Sequence, residues 1–379
     1  MGWSDASIMS LRREFVRLAR QAGANVRELC RRYEISPTTA YKWIARGASP
    51  EETYSDRSRR PHRSPNRTRA EIEEHILAIR DAHPVWNARK IRRLLQQQIA
   101  PDEVPAASTI GQILKRNGRI SESASTAAHE WTRFEHLAPN ELSQIDFKGS
   151  FETGQGRCYP LTMIDDHSRF AQILQACPNE RTETVKAHLI ECFRRFGLPR
   201  RMNMDNGNPW GNASGERHTH LTVWLIRLGV GVSHSRPFHP QTNGKDERFH
   251  RTLKAEVIGN RWFATFHQLQ REFDRWREIY NHERPHEALQ LEVPAARYRA
   301  SVRPYPEALP VFEYDTTNIR SVGPRGCLSV GGDLFYVGTA FAGQRVALKP
   351  TRDDGRWDVY FCHERVATID RRNPAWVRG

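Results

Sequence analysis

Three acidic residues stand at positions where a solvated surface role explains them poorly. Asp146 lies inside the apolar, strand-like segment 145–147, and a buried acid is costly unless it is paired or binds a metal. Asp205 ends a short apolar segment and opens the Asn- and Gly-containing loop 206–215, and ligands of α/β sheets bind at the carboxyl ends of strands. Glu247 falls in the first turn of a helix predicted over 244–257.

The chemistry that such acids support together is metal-assisted. Three carboxylates held close to one another repel unless cations lie between them. Hard oxygen ligands suit Mg²⁺ or Mn²⁺. Two such ions can activate an attacking oxygen and stabilise the leaving oxygen of a phosphodiester. A nucleic acid is therefore the substrate class that this hypothesis favours.

The helix of Glu247 carries cations on the same face as the acid. Arg251 and Lys254 follow Glu247 by four and seven residues, and these spacings share one side of a helix. The two cations would then line the approach to the acid, where a DNA backbone would lie. Ordinary Glu–Arg pairing on a solvated helix explains Arg251 equally well, and both interpretations stay open on this helix alone.

The charge of the chain also indicates a polyanionic partner. The 379 residues include 58 Lys and Arg against 44 Asp and Glu, a net charge of +14. Residues 1–120 hold 23 Lys and Arg against 13 Asp and Glu, so ten of these fourteen charges lie in the first third. Arg predominates and clusters there, and its guanidinium pairs bidentately with phosphate, which favours nucleic acid over a merely solvated surface.

The first 47 residues predict three short helices, over 8–21, 26–33 and 37–46. Ser36 and Pro37 form a good start for the third helix, as an N-cap followed by proline in the first turn. This arrangement is typical of a helix-turn-helix, whose second helix of the pair enters the DNA major groove. The predicted DNA-contact residues of the third helix are Thr38, Thr39, Lys42 and Arg46. A plain three-helix packing module is the alternative.

Residues 48–68 predict a basic linker, and residues 69–120 a second helical DNA-binding module of helix-turn-helix or winged-helix type. Its helices are predicted over 70–82, 88–97 and 109–117, with Ser108 as the cap of the third. Two tandem modules would read a longer DNA site than one. The cations predicted to contact DNA in these segments are Arg57, Arg59, Arg60, Arg89 and Lys90.

The pattern changes after a second linker over 121–140. Residues 141–300 predict three strands followed by alternating helices and strands, which indicates a mixed sheet flanked by helices in an RNase H-like α/β fold. Residues 315–379 predict five short strands with Gly331-Gly332 and Asp354-Gly355 at hairpin turns, typical of a small SH3-like β-barrel. The fold class is thus multidomain: two all-α helix-turn-helix modules, an α/β core and a C-terminal barrel.

Several other classes of protein and site are not supported. The start of the chain shows no signal peptide, and no segment approaches the roughly 20 apolar residues of a membrane span. A cytoplasmic, nucleoid-associated protein without a membrane partner is therefore expected. The six cysteines show no CxxC pair and are expected to be reduced thiols. The pairs His218/His220 and His282/His286 lack a third nearby ligand for zinc.

At this point the residues resemble a known family. The integrase core of bacterial insertion-sequence transposases, the DDE group related to retroviral integrases, is similar to residues 142–290. The resemblance rests on QIDFKG (144–149), MIDDHSR (163–169), MDNGNPW (204–210), SHSRPFHPQTNGKDERFHRTLK (233–254) and YNHERPHEAL (280–289).

The resemblance implies an RNase H-like fold and Asp146, Asp205 and Glu247 as the catalytic acids that bind two Mg²⁺ or Mn²⁺ ions. The gap between Asp205 and Glu247 is longer than in the best-known members, and an insertion over 209–218 would account for it. The residues predicted to shape the active-site loop are Asn206, Gly207, Gln241 and Asn243. The cations predicted to contact DNA in the core are Lys245, Arg248, Arg251 and Lys254.

Neighbouring acids and aromatic residues are given structural roles. Asp165 and Asp166 belong to the second core strand in the resembled pattern and are not expected to bind metal. Asp246 is expected to point about 100° away from Glu247 around the helix. Glu256 is treated as structural and Glu216 as a minor contributor. Trp210 is expected to pack, and residues 280–286 to lock the last core helix.

The resulting hypothesis is a DNA transposase that recognises the terminal inverted repeats of an insertion sequence. It would free a 3′-hydroxyl at each end of the element and join it to target DNA, with double-stranded DNA as partner and a dimer or larger homo-oligomer as the assembly. Two alternatives stay open: a domesticated transposase that acts as a DNA-binding regulator, and an RNase H-class nuclease that acts on hybrids.

Overall fold

The computed structural model describes residues 8–47, 54–56, 67–120, 135–211, 216–235, 244–259 and 261–372. The chain divides into two compact units, residues 1–67 and 68–379. None of the helices within the described ranges is long and apolar enough to cross a membrane. The six cysteines are free thiols, as expected, and burial raises the pKa of Cys158, Cys177 and Cys192 to about 12.

The first unit contains the three predicted N-terminal helices. They are α1 (Ile8–Ala19), α2 (Val26–Arg32) and α3 (Pro37–Arg46). Ser36 caps α3 as predicted, because its hydroxyl accepts a hydrogen bond from the backbone N–H of Thr39 at 3.2 Å. Phe15, Val16, Cys30, Ala40 and Trp43 are buried together and form the small core of this unit.

A second three-helix module opens the second unit. Its helices are α4 (Ala70–Ala82), α5 (Ala88–Leu95) and α6 (Ala107–Arg116). The prediction that Ser108 caps the third helix is wrong. The N-cap is the extended residue Ala106, because the helical backbone begins at Ala107 and takes Ser108 into its first turn.

This module packs on the core that follows it. Ile279 of the core lies against the apolar cluster of the module. The side chain of Asn87 donates a hydrogen bond to Glu287 at 2.8 Å, and Arg93 pairs with Glu292 at 2.8 Å. The second module and the core are therefore joined by both apolar and polar contacts.

The core sheet contains six strands: β1 (Leu142–Phe147), β2 (Phe151–Thr153), β3 (Gly156–Asp165), β4 (Ala171–Cys177), β5 (Arg201–Met204) and β6 (Gly231–His234). Their order is β4–β3–β1–β5–β6, and the short strand β2 pairs with the first residues of β3. Strands β4, β3 and β1 are antiparallel, whereas β1, β5 and β6 are parallel. This mixed order is that of the predicted RNase H-like fold.

Helices cover both faces of the sheet. On one face lie α7 (Thr182–Phe196) and α8 (His220–Arg227), around a core that includes Phe193, Trp210 and Trp224. On the other lie α9 (Gly244–Leu253) and α10 (Phe266–His282), around Phe249, Phe273 and Trp276. A π-helical turn, Lys254–Ile258, continues α9 where an α-helix to 257 was predicted. A short helix, α11 (Pro294–Arg297), follows.

The C-terminal region is a small all-β domain of two antiparallel sheets around a shared apolar core. Its strands are β7 (Ile319–Ser321), β8 (Cys327–Val330), β9 (Asp333–Tyr336), β10 (Arg345–Pro350), β11 (Arg356–Phe361) and β12 (Glu364–Asp370). The five predicted strands are β8 to β12, and Gly331 and Gly332 turn the β8–β9 hairpin with φ of 66° and 95°. Strand β7 is not predicted by the sequence, because only three of its residues pair.

Candidate active site

Asp146 and Asp205 lie at the carboxyl ends of β1 and β5, which are neighbouring parallel strands inside the sheet. Leu142 pairs with Arg201 and Gln144 with Asn203, an offset of 59 residues. The same offset carries Asp146 to Asp205, which directly follows β5. The two predicted acids of the sheet are therefore held side by side by backbone pairing between β1 and β5.

Asp146 is largely shielded from water. One carboxylate oxygen, Oδ1, accepts a hydrogen bond from the backbone N–H of Phe147 at 2.8 Å. Burial first, and then the charges of Asp205, Glu180 and Glu247, raise the pKa of Asp146 to about 7 against the lowering effect of that hydrogen bond. Carboxylates from three other segments are thus close enough to disfavour the ionised form of Asp146.

The loop after β5 orients Asp205. Its Oδ1 accepts from the backbone N–H of Gly207 at 3.1 Å, and burial raises its pKa. The side chain of Asn206 donates to the backbone carbonyl of Ser235 at 2.9 Å, which ties the loop to the end of β6. A Cβ at Gly207 would lie 3.2 Å from Oδ2 of Asp205, so glycine gives the carboxylate room.

Glu247 and Asp246 occupy opposite environments in the first turn of α9. Glu247 is exposed, whereas Asp246 is fully buried. Asp246, Asp146 and His250 each place one potential ligand atom within 4.8 Å of the others. The two neighbours do face different ways, as predicted, but the buried one faces Asp146.

The burial of Asp246 is indicated by the spacing of the buried residues of α9. Asp246, Phe249 and Leu253 are spaced by three and four residues, and this stripe is the buried face of α9. His250 and Thr162 join the same cluster. Two further charged residues near the acids were missed: Glu180 and Lys148 belong to no stripe of that kind.

The alternative acids Asp165 and Asp166 have structural partners. Asp165 accepts from the backbone N–H groups of Asn140 and Ser168 at 2.7 and 2.8 Å. Asp166 accepts from the side chain of Gln144 at 2.9 Å and forms an ion pair with Lys245 at 2.5 Å. Lys245, a predicted DNA contact, is therefore engaged within the core.

The other predicted core cations lie at the surface of α9 and of the π-helical turn that continues it. Arg248, Arg251 and Lys254 are exposed. Lys148, which follows β1, joins them from the sheet: burial and then the charge of Lys254 lower the pKa of Lys148. Lys148, which follows β1, and Lys254, which follows α9, therefore lie close to each other.

The predicted contacts of the helical modules are placed unevenly. Thr38 and Lys42 are exposed on α3, Thr39 is half-buried and bonded to Ser36 at 2.9 Å, and the guanidinium of Arg46 lies 4.7 Å from the ring centroid of Trp43. Arg89 is exposed on α5, whereas burial and then the charge of Arg284 lower the pKa of Lys90 to about 8. The remaining predicted residues, Arg57, Arg59, Arg60, Gln241 and Asn243, lie outside the described residues.

In the long gap between Asp205 and Glu247, Pro209 and Thr219 are in contact. The hydroxyl of Thr219 donates to the backbone carbonyl of Pro209 at 2.9 Å, so the chain returns to its starting point after ten residues. Trp210 is 1% exposed and packs near Phe147, which confirms the expected packing role. The insertion proposed over 209–218 stays a prediction.

The donor set suits a hard divalent cation. Asp146 and Asp205 each have one oxygen held by a backbone N–H, so the carboxylates are oriented before any ligand binds. Burial raises the pKa of both aspartates, and the charges of Asp205, Glu180 and Glu247 add to the rise at Asp146. A divalent cation would remove that repulsion, and carboxylate oxygens are the ligands that Mg²⁺ and Mn²⁺ prefer.

The raised pKa of Asp146 predicts a pH-dependent stability of the metal-free protein. The pKa rises from 3.8 in the unfolded chain to about 7 in the folded one, so the folded state binds this proton more tightly and loses stability as pH rises through that interval. Asp146→Asn should therefore be more stable than the unmodified protein by roughly 1–4 kcal/mol at pH 8, and the advantage should largely vanish at pH 4.

Urea unfolding in the presence of a chelator measures this difference. Added Mg²⁺ should stabilise the unmodified protein at pH 8 and have a much smaller effect on Asp146→Asn. The stability advantage of Asp146→Asn over the unmodified protein should be larger at pH 8 than at pH 4. An equal advantage at both pH values would contradict the raised pKa of Asp146.

Family models match most of the described segments. The integrase core domain matches residues 136–240 and 228–294, and the C-terminal domain of the IS481 family transposases matches residues 317–375. Near the N-terminus, a helix-turn-helix domain matches residues 11–62 and a homeodomain-like domain matches residues 39–114.

Relatives of known origin point the same way. A protein of insertion element IS407 from Burkholderia multivorans is 28% identical over 43% of this chain and 58% of its own length. A protein of insertion element IS476 from Xanthomonas euvesicatoria is 26% identical over 44% of this chain and 46% of its own length. The match thus covers about half of each relative. The Gag-Pro-Pol polyprotein of simian retrovirus SRV-2 is 30% identical over 34% of this chain and 7% of its own length.

Solved integrase structures are similar at a low level. The HTLV-2 integrase catalytic core in complex with magnesium has a TM-score of 0.31 and 12% identity, covering 42% of this chain and 97% of its own. A simian T-cell lymphotropic virus intasome has a TM-score of 0.36 and 15% identity, covering 74% of this chain and 94% of its own. These scores are too low to support an argument.

The sheet order, the paired strand-end aspartates and the matched core models define the class of the protein: it carries an integrase core of RNase H-like fold. The same chain carries helix-turn-helix segments and the C-terminal domain of IS481 family transposases. In these segments the chain is therefore similar to insertion-sequence transposases with an integrase core.

Proposed function

We propose that the protein binds the terminal inverted repeats of an insertion sequence, cleaves DNA at the ends of the element and joins the freed 3′-hydroxyls to target DNA. The reaction is a phosphoryl transfer in which water and then the 3′-hydroxyl attack a phosphodiester in line. The observation that carries the proposal is the pairing of β1 with β5, which places Asp146 beside Asp205 in an integrase core.

Asp146, Asp205 and Glu247 would hold two Mg²⁺ or Mn²⁺ ions. When bound, these ions supply activation of the attacking oxygen and stabilisation of the leaving oxygen. The backbone N–H groups of Phe147 and Gly207 orient the two aspartates, which leaves the second oxygen of each as an acceptor. Glu247, on the exposed face of α9, would complete the site from the helix side.

Positive side chains would hold the DNA backbone against these acids. Arg251 is exposed on α9 and Lys254 on the π-helical turn that continues it, and Lys148, which follows β1, lies near Lys254. Such cations neutralise phosphates and so fix the position of the scissile bond without reading sequence. Sequence preference would come from the exposed side chains of α3, chiefly Thr38 and Lys42.

The assembly and location follow from the reaction. Two ends of the element must be joined in a coordinated way, so a dimer or larger homo-oligomer would be the active form. The partners would be end-sequence duplex and target duplex, in the cytoplasm and associated with the nucleoid.

Two other functions would use the same core differently. A DNA-binding regulator would retain the modules but not the chemistry, and the oriented pair Asp146 and Asp205 speaks for chemistry. An RNase H-class nuclease would act on RNA–DNA hybrids, and the helix-turn-helix matches speak for duplex DNA.

A competition experiment tests the choice between duplex DNA and hybrid. A labelled duplex that carries one inverted repeat from the flanking DNA is bound in Ca²⁺ and competed with unlabelled repeat, scrambled duplex and RNA–DNA hybrid. We expect the repeat to compete at least tenfold better than either of the others. Stronger competition by the hybrid would favour the nuclease.

Substitution of Lys42 provides the matched test of the first module. Lys42→Ala should weaken binding and lower the slope of log affinity against log salt by about one, because one phosphate contact is lost. Arg157→Ala is the control, since Arg157 is an exposed cation of the core that pairs with Glu152 at 2.9 Å. An equal effect of both substitutions would assign the loss to net charge rather than to α3.

A further inference from the structure

Asp246 is an acid on a helix face that is otherwise apolar. It lies on the stripe with Phe249 and Leu253 through which α9 packs against the sheet, and it is fully buried. A carboxylate is costly to bury on such a face unless it has specific partners. An apolar side chain would fill this place without that cost, so the carboxylate calls for a specific account.

The partners of Asp246 are Thr162 and His250. The hydroxyl Oγ1 of Thr162 lies 3.2 and 3.3 Å from the two carboxylate oxygens of Asp246. The Nε2 atom of His250, one helical turn further on, lies 2.7 Å from the same hydroxyl and 3.2 Å from Asp246. We call these three side chains the buried triad.

Thr162 connects the buried triad to Asp146. The two residues are paired across β1 and β3, and the hydroxyl of Thr162 lies 3.0 Å from the backbone carbonyl oxygen of Asp146. A threonine hydroxyl has one hydrogen to donate and can accept two hydrogen bonds. If Nε2–H of His250 donates to it, its own hydrogen reaches either the carbonyl of Asp146 or the carboxylate of Asp246.

The same hydroxyl argues against direct metal binding by the triad. It lies within hydrogen-bond distance of both Asp246 and His250, which are also 3.2 Å apart, so the three side chains are partners of one another. Their ligand atoms nevertheless lie within 4.8 Å of a carboxylate oxygen of Asp146. The carboxyl group of Asp246 is therefore close to the candidate metal ligand, in surroundings where water screens little.

We propose that Asp246 is a positioning residue that, held by Thr162 and His250, supports the divalent cation bound by Asp146. It acts in two ways. Its charge adds to the negative potential at the cation, and its hydrogen bonds fix α9, and with it Glu247, against the strand of Asp146. The proposal rests on the metal site of the proposed function.

Binding of Mn²⁺ to the full-length protein without DNA, followed by electron paramagnetic resonance, tests this role apart from catalysis. Asp246→Asn keeps the shape and most hydrogen bonds but removes the charge, and we expect it to weaken Mn²⁺ binding about tenfold or more. Thr162→Val removes the hydroxyl at constant shape and should weaken binding as well, whereas Thr162→Ser should restore it.

Two further variants separate the possible failures. Asp274→Asn makes the same chemical change on α10, at a half-exposed carboxylate, and should bind Mn²⁺ like the unmodified protein. Asp146→Asn should lose binding. If Asp146→Asn loses Mn²⁺ but Asp246→Asn does not, the supporting role of Asp246 is wrong. If Asp146→Asn binds Mn²⁺ normally, the metal site itself is wrong and the proposal on Asp246 falls with it.

Discussion

Replacement of Glu247 by Gln should lower the rate of DNA cleavage at the element end by on the order of a thousandfold, about 4 kcal/mol of activation free energy. The change keeps the shape of the side chain but removes one negative charge from the proposed metal site. Glu247 is exposed on α9, so its replacement should leave the fold intact. Binding of the end duplex should change by less than about twofold, because phosphate contacts come from other residues.

The measurement is a gel assay of nicking on a labelled end duplex in Mg²⁺, beside a binding assay in Ca²⁺. Glu183→Gln is the matched control, because Glu183 is also an exposed glutamate in the first turn of a helix, α7. The control should cleave like the unmodified protein. Unchanged cleavage by Glu247→Gln would overturn the acid assignment.

A comparison with Asp246→Asn sharpens this test. Asp246 lies nearer to Asp146 by the described contacts, yet it is buried and hydrogen-bonded, whereas Glu247 is exposed. We expect a loss of about ten- to a hundredfold from Asp246→Asn, smaller than the loss from Glu247→Gln. The reverse order of the two losses would exchange the roles of these neighbours.

The second large effect is expected at the ion pair between Glu256 and Arg284. The two side chains are 8% and 10% exposed, and Nε of Arg284 lies 3.0 Å from Oε1 of Glu256. The indole N–H of Trp276 donates to the other oxygen at 2.7 Å. Arg284→Met leaves a buried carboxylate without its cation and should lower the free energy of unfolding by about 3–5 kcal/mol.

This pair joins the π-helical turn after α9 to α10 and to the segment that follows it. The expected loss is measured by urea unfolding of Arg284→Met, Glu256→Leu and the double variant. The double variant should lose much less than the sum of the single losses, because no uncompensated charge remains. Additive losses would show that the two residues act independently, and the structural role assigned to Glu256 would then lack its partner.

Much of the local structure follows from short-range pattern. Ser36 followed by Pro37 predicts the start of α3, and the hydrogen bond from Thr39 confirms it. The stripe of Val185, Leu189 and Phe193 predicts α7, and Gly197 ends it with φ of 75°. Capping, chain stiffness and periodic burial act within a few residues, so the sequence reports them directly.

Some boundaries needed the folded chain. Strand β7 has three residues and exists because Ile319–Ser321 pairs with β10, which no local pattern marks. The π-helical turn after α9 shifts the phase of that helix beyond Leu253, where the sequence predicts an uninterrupted α-helix. Pairing with a distant strand and packing against a distant helix decide such features, and neither is encoded in the neighbouring residues.

For the candidate site, the sequence by itself determined which acids are candidate metal ligands and that they lie in a strand, at the end of a strand and at the start of a helix. It also determined that the cations Arg251 and Lys254 follow Glu247. Only the tertiary structure decided which carboxylates meet. The parallel pairing of β1 with β5 places Asp146 beside Asp205, and the packing of α9 turns Asp246 and His250 toward Thr162. The physical reason is that proximity between carboxylates depends on strand register and helix rotation, which arise from long-range packing, whereas residue type and spacing specify only the local elements.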